Sequence, residues 1–198
     1  MNFCLWPEDP TPESQQNCQD CGLFQQGSRM IWGEGNPKAP ILILLDNPGE
    51  REDREERPYV CTTRQTLQRA VHESGLSADD FYVTYVLKRK PKRAYDKERT
   101  REICLQHLQQ QLVITNLKLV FCLGNVAVQS FFQDEAADVK TLRGKFYDVR
   151  GFQTTVAYHP FAVSKSMVKI SGGLSIGCRE RSKFFKRSLK LTSRFKNI

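Results

Sequence analysis

Apolar residues gather in four short runs, each closed by a polar turn. Ile41 to Leu45 runs into Asp46-Asn47-Pro48-Gly49, Phe81 to Leu87 into Lys88-Arg89-Lys90-Pro91, Leu119 to Leu123 into Gly124-Asn125, and Thr154 to Ala157 into Tyr158-His159-Pro160. Short continuous runs of this kind suit strands buried on both faces. Between them the period becomes helical. Leu67, Ala70 and Val71 mark one face of Thr66 to Ser74, with Gly75 as the stop. Leu105, Leu108 and Leu112 mark Glu98 to Thr115, with Cys104 beside that stripe, and a third helix after Gly124-Asn125 buries Val128 and Phe131 or Phe132. Strands alternating with helices predict an α/β fold, a single-domain three-layer sandwich with a central parallel four-stranded sheet. If the strands are parallel, Asn47, the basic loop from Lys88, Asn125 and His159 converge on one rim, where open α/β sheets hold ligands.

The flanks read differently. Residues 1–39, rich in Pro, Gln and Gly, predict a loop-rich cap carrying a Cys pair, residues 40–171 the α/β core, and residues 172–198 a basic, helix-capable tail of the same domain around Phe184, Phe185 and Leu189. A chain of 198 residues with 39% hydrophobic content suits one full core. No stretch approaches the roughly 20 apolar residues of a membrane span, and the first residues lack the basic and apolar regions of a signal peptide. A soluble, cytoplasmic monomer is the expectation.

The net charge of +8 matters through its placement. Lys88 to Arg101 carries eight Lys or Arg against Asp96 and Glu98, and Lys165 to Ile198 carries ten against Glu180 alone. Both runs suit phosphate contacts or, equally, solvated surface. Of the seven cysteines, only Cys18-x-x-Cys21 has a spacing that lets two sulfurs reach one metal or cluster. Cys122, inside a strand run, reads as core, and Cys4, Cys61 and Cys178 have no matching partner. His72 and His107 read as surface residues on helices.

Taken in order, Gly33-Glu34-Gly35-Asn36-Pro37, Pro48-Gly49-Glu50 with Glu52-Asp53, Arg57-Pro58-Tyr59-Val60, Lys88 with Pro91, Leu142-Arg143-Gly144 and Tyr158-His159-Pro160 form a pattern. It resembles the uracil-DNA glycosylase superfamily, most closely its iron-sulfur branch, family 4, over roughly Cys18 to Phe161. The resemblance implies a glycosylase that hydrolyses the bond between deoxyribose and uracil or a related damaged base, in single-stranded or duplex DNA, for base excision repair.

It also implies roles. Tyr59 stands where the family stacks a Phe on the flipped base, and His159 matches the histidine that stabilises the departing base. Asp46 keeps a motif carboxylate, while Asn47 resembles the water-positioning amide of the mismatch-specific branch; the turn alone would also favour Asn and Gly. Pro48, Gly49, Glu52 and Asn125 are implied at the substrate, with Lys88, Arg89, Lys90, Arg143 and Lys165 at DNA phosphates. Two positions depart from the family. Tyr85 replaces the Asn that reads the base edge, and Arg89 replaces the third cluster cysteine. Cys18, Cys21 and Cys104 match the other three cluster positions, an incomplete set for a 4Fe-4S cluster that leaves a labile or 3Fe-4S cluster, or no cofactor, as the expectations. The alternative reading is a glycosylase-fold protein that binds DNA or a protein partner without catalysis.

Overall fold

The computed structural model describes residues 6–50, 62–114 and 117–162, together with 187, 188, 190 and 192. The four apolar runs become strands β3 (Ile41–Leu45), β4 (Phe81–Tyr85), β5 (Leu119–Leu123) and β7 (Phe152–Ala157). They pair in parallel in the order β4-β3-β5-β7, with Ile41 opposite both Phe81 and Leu119, and Leu119 opposite Gln153. Every residue of β3, β4 and β5 is buried, as expected for strands covered on both faces.

Among the described residues the sheet has seven strands rather than the four expected. The three additions are antiparallel edges: β1 (Glu8–Asp9) and β2 (Gly33–Gly35) beyond β4, and β6 (Phe146–Val149) beyond β7. The first two come from the segment expected to be a loop-rich cap. Gly33-Glu34-Gly35 carries no apolar alternation, and becomes a strand because β4 offers it an unpaired edge.

Side chains of successive strand residues point to opposite faces, so one face of the sheet presents Ile41, Ile43, Leu45, Phe81, Val83, Leu119 and Phe121 to helix α1 (Thr62–Glu73), which buries Leu67, Ala70 and Val71. The other presents Leu42, Leu44, Tyr82, Val120, Cys122 and Val156 to α2 (Lys97–Ile114) and α3 (Asn125–Phe132). This is the three-layer sandwich. From α2 come Leu105, Leu108 and Leu112, and from α3 Val128 and Phe131, all buried, with Phe132 only partly so. Gly75 ends α1 at φ +72°, its N–H donating to the carbonyl of His72. A short helix, α4 (Val139–Leu142), precedes β6. No described helix is long and apolar enough to cross a membrane. The carboxy-terminal tail expected from residue 172 lies almost wholly outside the described residues.

Candidate functional site

From β3 the chain leaves toward β4 on one side, then returns to add β5 on the other. Such a reversal opens a crevice beyond the carboxyl ends of the two central strands, the place where open α/β sheets grip ligands. Asp46 and Asn47 leave β3 there, Gly124 and Asn125 leave β5, and Tyr158 and His159 leave β7. Because β5 lies between β3 and β7, any meeting of Asp46 with His159 has to pass over the end of β5.

The meeting occurs: His159 Nε2 stands 3.3 Å from Asp46 Oδ1. Gly124 makes room for it. Its φ is +94°, and a Cβ built there would lie 3.0 Å from the Cβ of His159. Gly124→Ala therefore strains the backbone and pushes the imidazole outward. If His159 acts on a substrate, displacement of this kind should cost about tenfold to 100-fold in rate, readable as lost turnover with an unchanged far-ultraviolet circular dichroism spectrum.

Local bonds fix the orientation of each group. The Phe161 N–H donates to His159 Nδ1 at 3.2 Å, which leaves Nε2 as the ring's donor, pointing toward Asp46. Asp46 Oδ1 also accepts from the Asn47 N–H at 2.8 Å. Burial tends to raise the Asp46 carboxyl, but the hydrogen bond and charge of His159, joined by the N–H of Asn47, hold it below its ordinary value. Asn47 Nδ2 donates to the Pro48 carbonyl at 2.7 Å. That bond turns the amide so that its carbonyl oxygen is left as an acceptor, with Pro48 buried and Gly49 half-buried beneath it.

Other sequence-derived candidates fall in different places. Arg143 is half-buried; its guanidinium donates to the Tyr158 hydroxyl and lies 5.0 Å over that ring, bracing the residue before His159. Asn125 is exposed and joins two helices, accepting from the Val139 N–H at 3.2 Å and donating to Asp138 Oδ1 at 3.3 Å. Lys90 is partly exposed. Glu52, Tyr59 and Lys165 lie outside the described residues.

Lys88 and Arg89, read from sequence as phosphate contacts, are instead buried, at 1% and 7% exposure. Lys88 Nζ donates to Thr84 Oγ1 at 2.5 Å, Gln111 Oε1 at 2.6 Å and the Trp32 carbonyl at 3.4 Å. Burial among these neutral acceptors pushes its pKa down to about 7. Arg89 donates to the carbonyls of Ser28 at 2.5 Å and Gln16 at 3.2 Å, and lies over the Phe24 ring. Both cations serve as pins that tie the early loops to the end of β4.

Tyr85, expected to face a base, turns its hydroxyl into the core. It donates to Glu34 Oε1 at 2.7 Å and accepts from Arg64 Nη2 at 2.9 Å, and Arg64 forms an ion pair with Glu34. A buried guanidinium needs such acceptors, which is what commits the phenol. Neither Glu34 nor Arg64 stood out in the sequence as an ion pair.

The cysteine corner lies where the loop before β2 meets α2. Cys104 Sγ donates to Cys21 Sγ at 3.4 Å, and Cys18 Sγ stands 3.4 Å from His107 Nε2. The bond from Cys104 is the main cause that pulls the Cys21 thiol down to about 6, and the same shared proton raises Cys104. His107 was expected on the surface; it is 5% exposed, with its ring edge-on to Trp32. One turn of α2 separates it from Cys104, and the repeat of Cys18-x-x-Cys21 in Cys104-x-x-His107 is the signal in the sequence that would have found it. Three thiols are one short of the four that a cubane iron-sulfur cluster takes, since Arg89 offers no electron pair. Among the described residues, no three His, Cys, Asp or Glu side chains are already gathered closely enough to hold an ion.

With this geometry in view, comparison with known proteins is informative. Residues 32–189 match the model of the uracil DNA glycosylase superfamily. The chain is similar to the type-4 uracil-DNA glycosylase of Saccharolobus solfataricus, 30% identical over 163 residues that span 78% of this chain and 76% of that protein. It is also similar to the type-4 enzymes of Archaeoglobus fulgidus, 31% identical over 74% of this chain and 78% of that one, and Thermotoga maritima, 28% identical over 75% and 78%.

Proposed function

The chain belongs to the uracil DNA glycosylase superfamily, and on that premise we propose that it hydrolyses the N-glycosidic bond of uracil, or a related damaged base, in DNA. The observation that carries this reading is the meeting of Asp46, Asn47 and His159 above the end of β5, three groups from two separated turns at the switch point of the sheet.

Breaking the bond builds positive charge on the sugar and negative charge on the departing base. His159 presents an Nε2–H that, in the free protein, rests on Asp46 at the long distance of 3.3 Å. A flipped base placed in the crevice takes over that donor through a carbonyl oxygen, and the hydrogen bond strengthens as charge develops there. Asn47, its Nδ2 held by Pro48, offers its carbonyl oxygen to a water aimed at the sugar carbon. The Asp46 carboxylate faces the same region and stabilises the positive sugar. Orientation of the water supplies the rate, without a strong base. Flipping costs a few kcal/mol, part of which exposed cations at the rim, Lys90 among them, offset through phosphate contacts.

The thiols of Cys18, Cys21 and Cys104 support a metal centre in the corner between loop and helix. A group bound there holds the loop to α2 and supplies no atom to bond cleavage.

The test uses oligonucleotides containing uracil, hypoxanthine or xanthine, single-stranded and duplex, followed by alkali. Cleavage is expected for at least one base, and Asn47→Ala should lower its rate by about 100-fold. A folded protein that shifts DNA on a gel yet cleaves none of them would overturn the reading in favour of a DNA-binding protein without catalysis.

A further inference from the structure

We propose that His107 completes a four-ligand centre with Cys18, Cys21 and Cys104, and that this Cys3His set holds a single tetrahedral Zn²⁺ ion. The inference does not depend on the glycosylase reading.

Its ligands come as two pairs. The loop supplies Cys18 and Cys21, and one face of α2 supplies Cys104 and His107, whose i, i+3 spacing stacks them one turn apart. The pairs interlock crosswise, since Cys21 touches Cys104 while Cys18 touches His107, each at 3.4 Å. Zn–S bonds of about 2.3 Å and Zn–N bonds of about 2.0 Å put neighbouring ligand atoms of a tetrahedron about 3.5–3.8 Å apart. Both contacts lie close to that edge length. A polynuclear cluster places each thiolate on a different iron and so holds sulfurs much further apart than a single ion does. The thiols of Cys21 and Cys104 are also free rather than joined as a disulfide.

A second observation is the state of the imidazole. His107 Nδ1 is buried without a hydrogen-bond partner, and Nε2 rests only on the Cys18 sulfur. A metal bond at Nε2 would leave Nδ1 as it is but replace the weak thiol contact with a strong one, giving this buried ring the partner it lacks. Charge agrees too. A divalent ion with three thiolates leaves one net negative charge, and the Arg89 guanidinium acts on Cys21 from the position where a fourth thiolate would otherwise lie. The arginine that forbids a four-thiolate set is a suitable counter-ion for this one. Cys18 and Cys21, both half-buried on a loop, have to turn toward Cys104 and His107 for the two pairs to close on a common ion. With all four positions taken by protein, no site remains for water or substrate, so the centre is structural.

The experiment measures metal and acid-labile sulfide in the full chain as purified. One zinc per chain, no sulfide, and an X-ray absorption spectrum with three sulfur neighbours and one nitrogen are expected. His107→Ala should weaken zinc at least tenfold in competition with a chelator, while His107→Cys retains it; removal of zinc from the wild type should lower its melting temperature. Should His107→Ala fail to fold, the absorption spectrum of the wild type still decides, as does Co²⁺ added to the metal-free protein, which must give the intense visible bands of tetrahedral cobalt bound to thiolates. Iron with labile sulfide, a Cys21–Cys104 disulfide in place of metal, no nitrogen neighbour, or equal affinity in His107→Ala would each overturn the proposal.

Discussion

His159→Ala is expected to slow base release by about 10²- to 10³-fold, the effect of removing one pre-aimed donor from a developing negative charge. The loss should appear in kcat with KM little changed, because the hydrogen bond strengthens mainly in the transition state. Folding should be unaffected. The His159 side chain is 23% exposed, and its contacts are Asp46 and the Phe161 N–H at the end of a strand. His159→Gln, which keeps a donor of similar reach, should recover part of the rate. Single-turnover assays on a cleavable oligonucleotide, with DNA affinity measured in parallel, separate these outcomes. A variant that lost affinity but kept its single-turnover rate would make His159 a binding residue, and an unchanged rate would remove it from the chemistry altogether.

Glu34→Ala is expected to destabilise the protein by about 3–5 kcal/mol, the usual cost of leaving one member of a buried ion pair without its partner. Both side chains of the pair are 2% exposed. The Arg64 guanidinium also lies 5.8 Å over the Trp6 ring and 5.5 Å over the Tyr85 ring, so it has no route to water. Tyr85→Phe removes only one hydroxyl from the set and should cost about 1–3 kcal/mol. A Glu34→Met, Arg64→Met double variant should lose far less than the sum of its single changes, since no charge is left stranded. Urea midpoints of the wild type, Glu34→Ala, Tyr85→Phe, the two single Met variants and the double variant measure these losses. Additive losses in the double variant would mean that the pair contributes packing alone. A domain of this kind has about 5–15 kcal/mol in total, so Glu34→Ala approaches the threshold of unfolding.

The central parallel strands were legible because burial on both faces leaves an apolar run without alternation, and each run ends in a turn that the crevice uses. Edge strands were not. Glu8–Asp9 and Gly33–Gly35 acquire strand geometry from their neighbours' free N–H and carbonyl groups, which leave no trace in local composition. The same non-locality explains the errors at Lys88, Arg89 and Tyr85. A lysine at a strand end looks like a surface cation until Trp32 and Gln111, far away in the chain, are seen to surround it. The convergence of Asp46 with His159 could be foreseen because both residues sit in the turns that end the parallel strands. His107 was overlooked although Cys104 lies one turn before it on the helix, since only the fold brings Cys18 of the partner loop to it.

The bridge from Asp46 to His159 over Gly124 also bears on timing during synthesis. Its two ends lie on β3 and β7, and β5 has to stand between them before they can meet. Parallel pairings of this kind join segments distant in sequence and form slowly compared with local helices. A chain still emerging from the ribosome, with β3, β4 and α2 already folded, therefore carries Asp46 and Asn47 of the proposed reaction centre but not His159. On the proposed reading, competence arrives only when Tyr158-His159-Pro160 has been made and β7 has docked. Nascent or truncated forms that touch nucleic acid would, on that reading, lack the means to cut a base from it.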